Sequence, residues 1–160
     1  MRRLRANIRK AENIMRIAIG CDPNAVEFKK ALIPFIKGLG HECTDFGSDD
    51  PIYANVAFAV AEDVAAGNYD RGILICGTGI GVCIAANKVK GAYAAAIGNI
   101  YQAQRAQLSN NANIITLGAQ VTGIELGKCF VEAYLGASYE ENTRSAPKVA
   151  RIAEYEQSCG

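Results

Sequence analysis

Residues 75–88 read ICGTGIGVCIAANK, and they carry the strongest structural signal in the chain. The residues that lead into this stretch, 71–76 (RGILIC), are almost continuously apolar, which is typical of a strand buried on both faces. Three glycines spaced two apart then predict a tight turn, and residues 82–88 predict a helix. Together they form a strand, a glycine-rich turn and a helix, the repeating unit of a parallel α/β protein.

The same alternation extends in both directions from this unit. Short apolar runs predict further strands at 15–20, 41–46, 92–97 and 113–117. Apolar residues at helical spacing predict helices at 25–39, 53–66, 101–108, 123–135 and 147–155. Because apolar strands separated by helices form a parallel sheet with both faces covered, we predict an α/β fold with a five-stranded parallel sheet.

Length and charge restrict the class of protein. The chain has 160 residues, half of them hydrophobic, which suits one compact domain at 15–160. A net charge of +1 argues against nucleic-acid binding, and the apolar runs are too short to span a membrane. Residues 1–14 hold five basic side chains against one acidic side chain. We interpret them as a basic N-terminal extension, either an upstream arm or a targeting stretch, without the apolar run of a secretory signal.

The six cysteines form no CxxC pair, and His41 is the single histidine in the chain. This pattern argues against a zinc site, so we predict no bound metal. Free thiols in a reducing cytoplasm are the default expectation, with most cysteines packed as small apolar residues. We interpret His41 as an ordinary residue at the surface or at a strand edge.

Ligands of parallel α/β proteins bind at the carboxyl ends of the strands, where Asp22, Cys76 and the glycine-rich turn are predicted to lie. Backbone amides in such a turn can approach an anion or a developing oxyanion. A following helix N-terminus favours the thiolate form of a nearby cysteine. The loop can therefore supply a base and a charge-stabilising cradle together. The alternatives are a tight turn with a buried cysteine, or a nucleotide-binding loop that lacks the full dinucleotide fingerprint.

Three segments then show a family resemblance: YDRGILICGTGIGVCIAANK at 69–88, GCD at 20–22 and SNNANIITLGAQVTGIELGK at 109–128. They resemble the ribose-5-phosphate isomerase type B family, which also contains the galactose-6-phosphate isomerase subunits, and the likeness runs from about residue 15 to residue 155. The resemblance implies a three-layer α/β/α Rossmann-like sandwich and a cytoplasmic enzyme of pentose phosphate metabolism. It also implies a sugar-phosphate substrate, no cofactor, and a homodimer or tetramer with sites at the subunit interface.

The resemblance further implies roles for individual residues. Cys76 would move the proton between adjacent sugar carbons, with Thr78 near the sugar and Ser109 at the place of a ring-opening histidine. Basic residues four apart before the last helix would bind the phosphate, although a solvated helix start is the alternative for this pair. The residues expected to contact substrate are Asp22, Tyr53, Gly77, Gly79, Gly81, Asn110 (from the partner subunit), Arg144 and Lys148.

Three positions depart from the family pattern, namely Pro23 and Ser109 in place of histidines and Gln120 in place of an arginine. Ribose 5-phosphate exists mainly as a ring, and a histidine suits ring opening because it exchanges protons near neutral pH. A serine hydroxyl does not titrate near neutral pH, so Ser109 can only donate or accept a hydrogen bond in this role. A four-carbon sugar 4-phosphate cannot close a five-membered ring, so it needs no ring opening. The resemblance implies aldose–ketose isomerisation of the ribose 5-phosphate/ribulose 5-phosphate type through an enediolate, and these departures add the alternative hypothesis of an open-chain tetrose or tetrulose phosphate as substrate.

Two other interpretations of the protein's function are a non-catalytic or mixed-complex subunit of the family, and a regulatory phosphate-binding module. A signalling receiver domain has the same alternation, but it needs an aspartate where Cys76 stands.

Overall fold

The computed structural model describes residues 13–160, so positions 1–12 of the predicted N-terminal extension lie outside the described residues. Five strands form one sheet in the order β2-β1-β3-β5-β4, and every neighbouring pair is parallel. The strands are β1 Arg16–Cys21, β2 Glu42–Asp45, β3 Arg71–Cys76, β4 Ala94–Ala96 and β5 Ile114–Gly118. The predicted five-stranded parallel sheet is confirmed.

Residues 13–160 contain six α-helices. A 3₁₀ turn at Pro23–Ala25 precedes α1, and the helices are α1 Val26–Gly38, α2 Tyr53–Ala65, α3 Ile80–Ala86, α4 Ile100–Leu108, α5 Ile124–Leu135 and α6 Ala146–Ser158. Buried side chains of α1, α4 and α5 pack on one face of the sheet, and those of α2 and α3 pack on the other. These three layers confirm the α/β/α sandwich.

The central strand β3 is buried along its whole length, and its side chains alternate between the two faces. Ile73 and Ile75 join the core under α1 and α5, whereas Leu74 and Cys76 join the core under α2 and α3. A Cβ at Gly72 would lie only 2.9 Å from Val60, so a glycine here lets α2 approach the sheet closely. The alternation therefore directs the Cys76 thiol towards the α2–α3 layer.

The edge strand β4 is shorter than the predicted strand at 92–97. The side-chain amide of Asn87 donates to the Ala94 carbonyl at 2.9 Å and accepts from the Ala94 amide at 2.8 Å. The Asn113 side chain accepts from the Tyr93 amide at 2.8 Å. The Asn87 side chain thus occupies both backbone groups of Ala94 at the start of this edge strand, which hinders pairing with a further strand.

The last helix, α6, is attached to the same edge. Glu156 accepts a hydrogen bond from the Gly91 amide at 3.0 Å and another from the Tyr93 hydroxyl at 2.7 Å. No residue of α6 is buried in the single chain. Within residues 13–160, no helix has both the length and the apolar character needed to cross a membrane.

Candidate active site

The glycine-rich loop that follows β3 positions the sulfur of Cys76. The Gly79 amide donates to Cys76 Sγ at 3.1 Å. The loop is also attached to the residues after β5, because the Ala119 amide donates to the Cys76 carbonyl at 2.8 Å and the Gln120 amide to the Gly77 carbonyl at 2.9 Å. These bonds continue the β3–β5 ladder beyond the strands and hold the thiol at the carboxyl edge of the sheet.

Glycine is required where the loop and β5 touch. Gly79 has a φ of 77°, a left-handed conformation that side-chain-bearing residues rarely adopt. A Cβ at Gly118 would lie 2.6 Å from the carbonyl carbon and oxygen of Thr78, so the two backbones are in direct contact. Thr116, which is fully buried, donates from its hydroxyl to the Gly79 carbonyl at 2.7 Å. Nothing in its sequence context marked Thr116 as a residue that positions the loop.

Asp22 lies beside Cys76 at the end of the neighbouring strand. The Asp22 amide donates to the Ile75 carbonyl at 3.1 Å, and its Oδ1 accepts from the Asn24 amide at 2.9 Å. Both side chains are largely covered, with 7% of Asp22 and 4% of Cys76 exposed. The thiol is therefore at the predicted edge, and in the single chain it is almost fully buried.

Tyr53, Thr78 and Gln120 surround the loop. Tyr53 begins α2, and its hydroxyl oxygen would lie 2.6 Å from a Cβ at Gly81, so the ring rests on that glycine. Thr78 is exposed, and its hydroxyl accepts from the Ile80 amide at 3.3 Å. The Gln120 carboxamide would lie 3.2 Å from a Cβ at Gly77. In the sequence, Gln120 is distinguished only by standing where the family commonly has an arginine.

The structure brings together seven of the predicted site residues at this carboxyl edge, and we call them the cysteine group. Its members are Asp22, Tyr53, Cys76, Gly77, Thr78, Gly79 and Gly81.

Ser109, Asn110 and Arg144 lie near the amino ends of the strands, on the side of the sheet opposite to the cysteine group. Ser109 ends α4, with its amide donating to the Arg105 carbonyl at 2.9 Å, and Asn110 precedes β5. Cys76 pairs with Gly118, the last residue of β5, so the whole strand separates the two positions. Five residues of strand span about 13 Å between the first and last Cα atoms. One chain therefore does not bring Asn110 next to Cys76.

Arg144 lines a cavity of about 210 Å³ together with Leu108, which is the last residue of α4. Lys148 follows one turn later, exposed, near the start of α6. We call Ser109, Asn110, Arg144 and Lys148 the amino-edge group. The predicted site residues thus fall into two groups at opposite ends of the strands.

The pKa shifts of His41, Cys21 and Cys43 arise mainly from burial. His41 accepts from the Met15 amide at 3.2 Å, and burial and then the charge of Arg71 lower its pKa, which agrees with its interpretation as an ordinary strand-edge residue. Burial raises the pKa of Cys21 and that of Cys43 to about 11, so both remain thiols at neutral pH. Within residues 13–160, no three histidine, cysteine or acidic side chains converge as metal ligands do.

The fold and the cysteine-bearing loop define a Rossmann-like α/β/α protein with its unusual residues at the carboxyl edge of the sheet. A family model described as ribose/galactose isomerase matches residues 17–152. The chain is 46% identical over 147 residues to a D-erythrulose-4-phosphate isomerase of Pectobacterium atrosepticum, over 89% of this chain and 96% of that one. It is 44% identical over 146 residues to a ribose-5-P isomerase B of Listeria innocua, over 89% and 98%.

Solved structures agree with these sequence matches. The structure of a ribose-5-phosphate isomerase B from Clostridium thermocellum superposes with a TM-score of 0.85 at 40% identity, covering 91% of this chain and 100% of that one. The chain belongs to the ribose/galactose isomerase family, and it is therefore an isomerase, an intramolecular oxidoreductase.

Proposed function

We propose that the protein interconverts the aldose and ketose forms of a small sugar phosphate, with Cys76 as the base. The observation that carries this proposal is the position of the sulfur. Cys76 Sγ lies at the carboxyl edge of the central strand, 3.1 Å from the Gly79 amide and within the glycine-rich loop. An N–H group that donates to the sulfur stabilises negative charge on it. The proposed reaction requires this stabilisation because it begins with Cys76 as a thiolate.

The reaction balances without an external oxidant or reductant. For a ketose, the Cys76 thiolate removes a proton from C1, the C–H electrons form the C1–C2 double bond, and the C2 carbonyl oxygen becomes an oxyanion. The thiol then returns the proton to C2 while O1 becomes the aldehyde oxygen, and the O1 hydroxyl proton passes to O2. Carbon 1 is oxidised and carbon 2 is reduced within one molecule, and the thiolate is regenerated.

The other members of the cysteine group suit the remaining tasks. We expect those amides of the loop at 77–81 that donate to neither Cys76 nor Thr78 to stabilise the developing enediolate, and such electrostatic stabilisation is often the largest single contribution in enzymes. Thr78 accepts a bond from Ile80, so its own hydroxyl proton is free to exchange with the sugar oxygens. Asp22 keeps one carboxylate oxygen for a sugar hydroxyl, and Tyr53 forms the wall above Gly81.

A complete site requires two copies of the chain. The amino-edge group is a strand length away from Cys76 in its own chain, yet it contains the hydroxyl, amide and cations that a sugar phosphate needs. We therefore propose at least a homodimer, in which Ser109, Asn110, Arg144 and Lys148 face the cysteine group of the partner. Arginine can hold the phosphate with two hydrogen bonds, whereas lysine contributes a point charge.

Ser109 supports an open-chain four-carbon substrate such as erythrulose 4-phosphate. A serine hydroxyl does not titrate near neutral pH, so it is poorly suited to opening a sugar ring, and this substrate has no such ring to open. The similarity to the D-erythrulose-4-phosphate isomerase of Pectobacterium atrosepticum points the same way. Ribose 5-phosphate is the second candidate, because the Listeria innocua relative at 44% identity is a ribose-5-P isomerase B.

The test is a comparison of kcat/KM for erythrulose 4-phosphate, erythrose 4-phosphate, ribose 5-phosphate and allose 6-phosphate, beside a Cys76→Ser variant. We expect the highest value for the four-carbon pair and a loss of turnover in the variant with phosphate affinity retained. A clear preference for ribose 5-phosphate would refute the four-carbon assignment. Inactivity of the pure protein on all four sugars, with activity restored by a paralogue, would identify a mixed-complex subunit instead.

A further inference from the structure

Arg105 is a cation that neither the sequence patterns nor the family resemblance singled out. It lies in the last turn of α4, half-buried, one turn before Ser109 and therefore on the same helix face. Its side chain lines the cavity of about 210 Å³ that Arg144 also lines. It also lines a second cavity, of about 430 Å³, to which Asn110 contributes. Arg105 thus joins the two parts of the amino-edge group.

The cavity shared by the two arginines has the chemistry of a phosphate site. Three hydroxyl-bearing residues, Ser138, Thr143 and Ser145, also line it, and Glu140 is the acidic residue in the lining. Within the described part of the chain, no carboxylate oxygen lies within 4.0 Å of either guanidinium, so neither arginine is held in an ion pair. Two unpaired guanidinium groups around one small cavity favour a doubly charged anion.

The backbone at this cavity offers few free donors. The Ala146 amide donates to the Thr143 carbonyl and the Lys148 amide donates to the Ser145 carbonyl, both at 3.0 Å. Pro147 has no amide hydrogen to donate. The start of α6 therefore cannot bind an anion through its first amides, and binding depends on the side chains.

We propose that Arg105 binds the phosphoryl group of the substrate together with Arg144. This inference rests on the proposed function, since it places the phosphate of the sugar in the cavity between α4 and the start of α6. It also names Arg105 as a residue that selects phosphorylated sugars, beyond the cations that the family resemblance implies.

The experiment compares Arg105→Gln, Arg105→Lys and the matched control Arg151→Gln with the unchanged protein. Arg151 is an exposed arginine of α6, 3.8 Å from Glu154, so its replacement removes the same charge away from the cavity. We expect Arg105→Gln to raise KM for the sugar phosphate and Ki for inorganic phosphate by about tenfold or more, with kcat changed far less. Arg105→Lys should lie between, because it retains charge without the two-point contact.

The outcomes separate this inference from the proposed function. An unchanged KM in Arg105→Gln, or an equal change in Arg151→Gln, would overturn the role of Arg105 and leave the isomerase assignment intact. A rise in Ki for inorganic phosphate without a rise in KM would also overturn it, because Arg105 would then bind a separate anion. If the wild-type protein converts no sugar phosphate, calorimetric titration with inorganic phosphate still tests the role of Arg105. We then expect Arg105→Gln to bind phosphate more weakly than the wild type, and equal binding would contradict that role.

Discussion

Replacing Gly118 by alanine tests whether the contact between β5 and the glycine-rich loop sets the position of the Cys76 sulfur. The added Cβ would lie 2.6 Å from the carbonyl carbon and oxygen of Thr78, whereas ordinary contacts begin at 3.4 Å. Backbone lies on both sides, so no flexible side chain can move away. The loop and β5 must therefore separate by roughly 0.8 Å, the difference between these two distances.

A separation of this size is large for a reacting geometry. A misplacement of about 1 Å can cost about 10²-fold in rate. We therefore expect kcat/KM to fall by about 10²-fold, mainly through kcat, because the amino-edge cations are untouched. Overpacking of this kind also costs about 1–3 kcal/mol of unfolding free energy, which leaves a folded protein to assay.

The assay measures initial rates of aldose formation beside urea denaturation monitored by circular dichroism. Gly123→Ala is the matched control, since an added Cβ there meets nothing within 4 Å and the residue follows Gly118 in the same loop. Wild-type kcat/KM in Gly118→Ala, or an equal loss in Gly123→Ala, would refute the role given to this contact.

Three further predictions follow from single positions. Cys76→Ser should lower kcat by about 10²–10⁴-fold with little change in thermal unfolding, because it removes the base but keeps a small side chain; undiminished turnover would exclude Cys76 as the base. Gly38→Ala should raise the free energy of unfolding by about 0.5–1 kcal/mol in urea denaturation, since the helical site has open space and alanine favours helix; a destabilised variant would contradict this. Hydrogen bonds from the Arg16 guanidinium hold the pKa of Asp70 below its usual value, so this carboxylate stabilises the fold above about pH 4 and its contribution is lost as the pH falls through the lowered pKa. The slight lowering of Tm that Asp70→Asn causes at pH 7 should therefore become smaller as the pH falls below 4, and an effect that does not change with pH would count against the ion pair.

The fold was predictable to within a few residues at most element boundaries. Strand β3 has the bounds that its apolar run predicts, and α2 begins at Tyr53 as expected. Among the strands the largest difference is β4, where the Asn87 side chain bonds both backbone groups of Ala94. Such a side-chain bond between residues seven apart leaves no trace in hydrophobic periodicity.

The candidate site was predictable in part. The cysteine group follows from one rule, that the carboxyl ends of parallel strands meet at one edge, so Asp22 and Cys76 were expected together. Thr116 in β5 and Gln120, two residues after β5, touch the loop, yet their own sequence context carries no signal for that contact. Their positions depend on the β3–β5 register, which hydrogen bonding between distant segments sets.

Local patterns in the chain were sufficient for the alternation of strands and helices, the glycine-rich loop and the cysteine before it, because periodicity and backbone freedom are properties of neighbouring residues. The folded molecule was needed to separate the cysteine group from the amino-edge group and to bring Arg105 and Arg144 to one cavity. The physical reason is that strand order and register bring together residues far apart in the chain. The separation of the two groups and the cavity shared by the two arginines arise only when the hydrophobic faces of all five strands and their helices pack together.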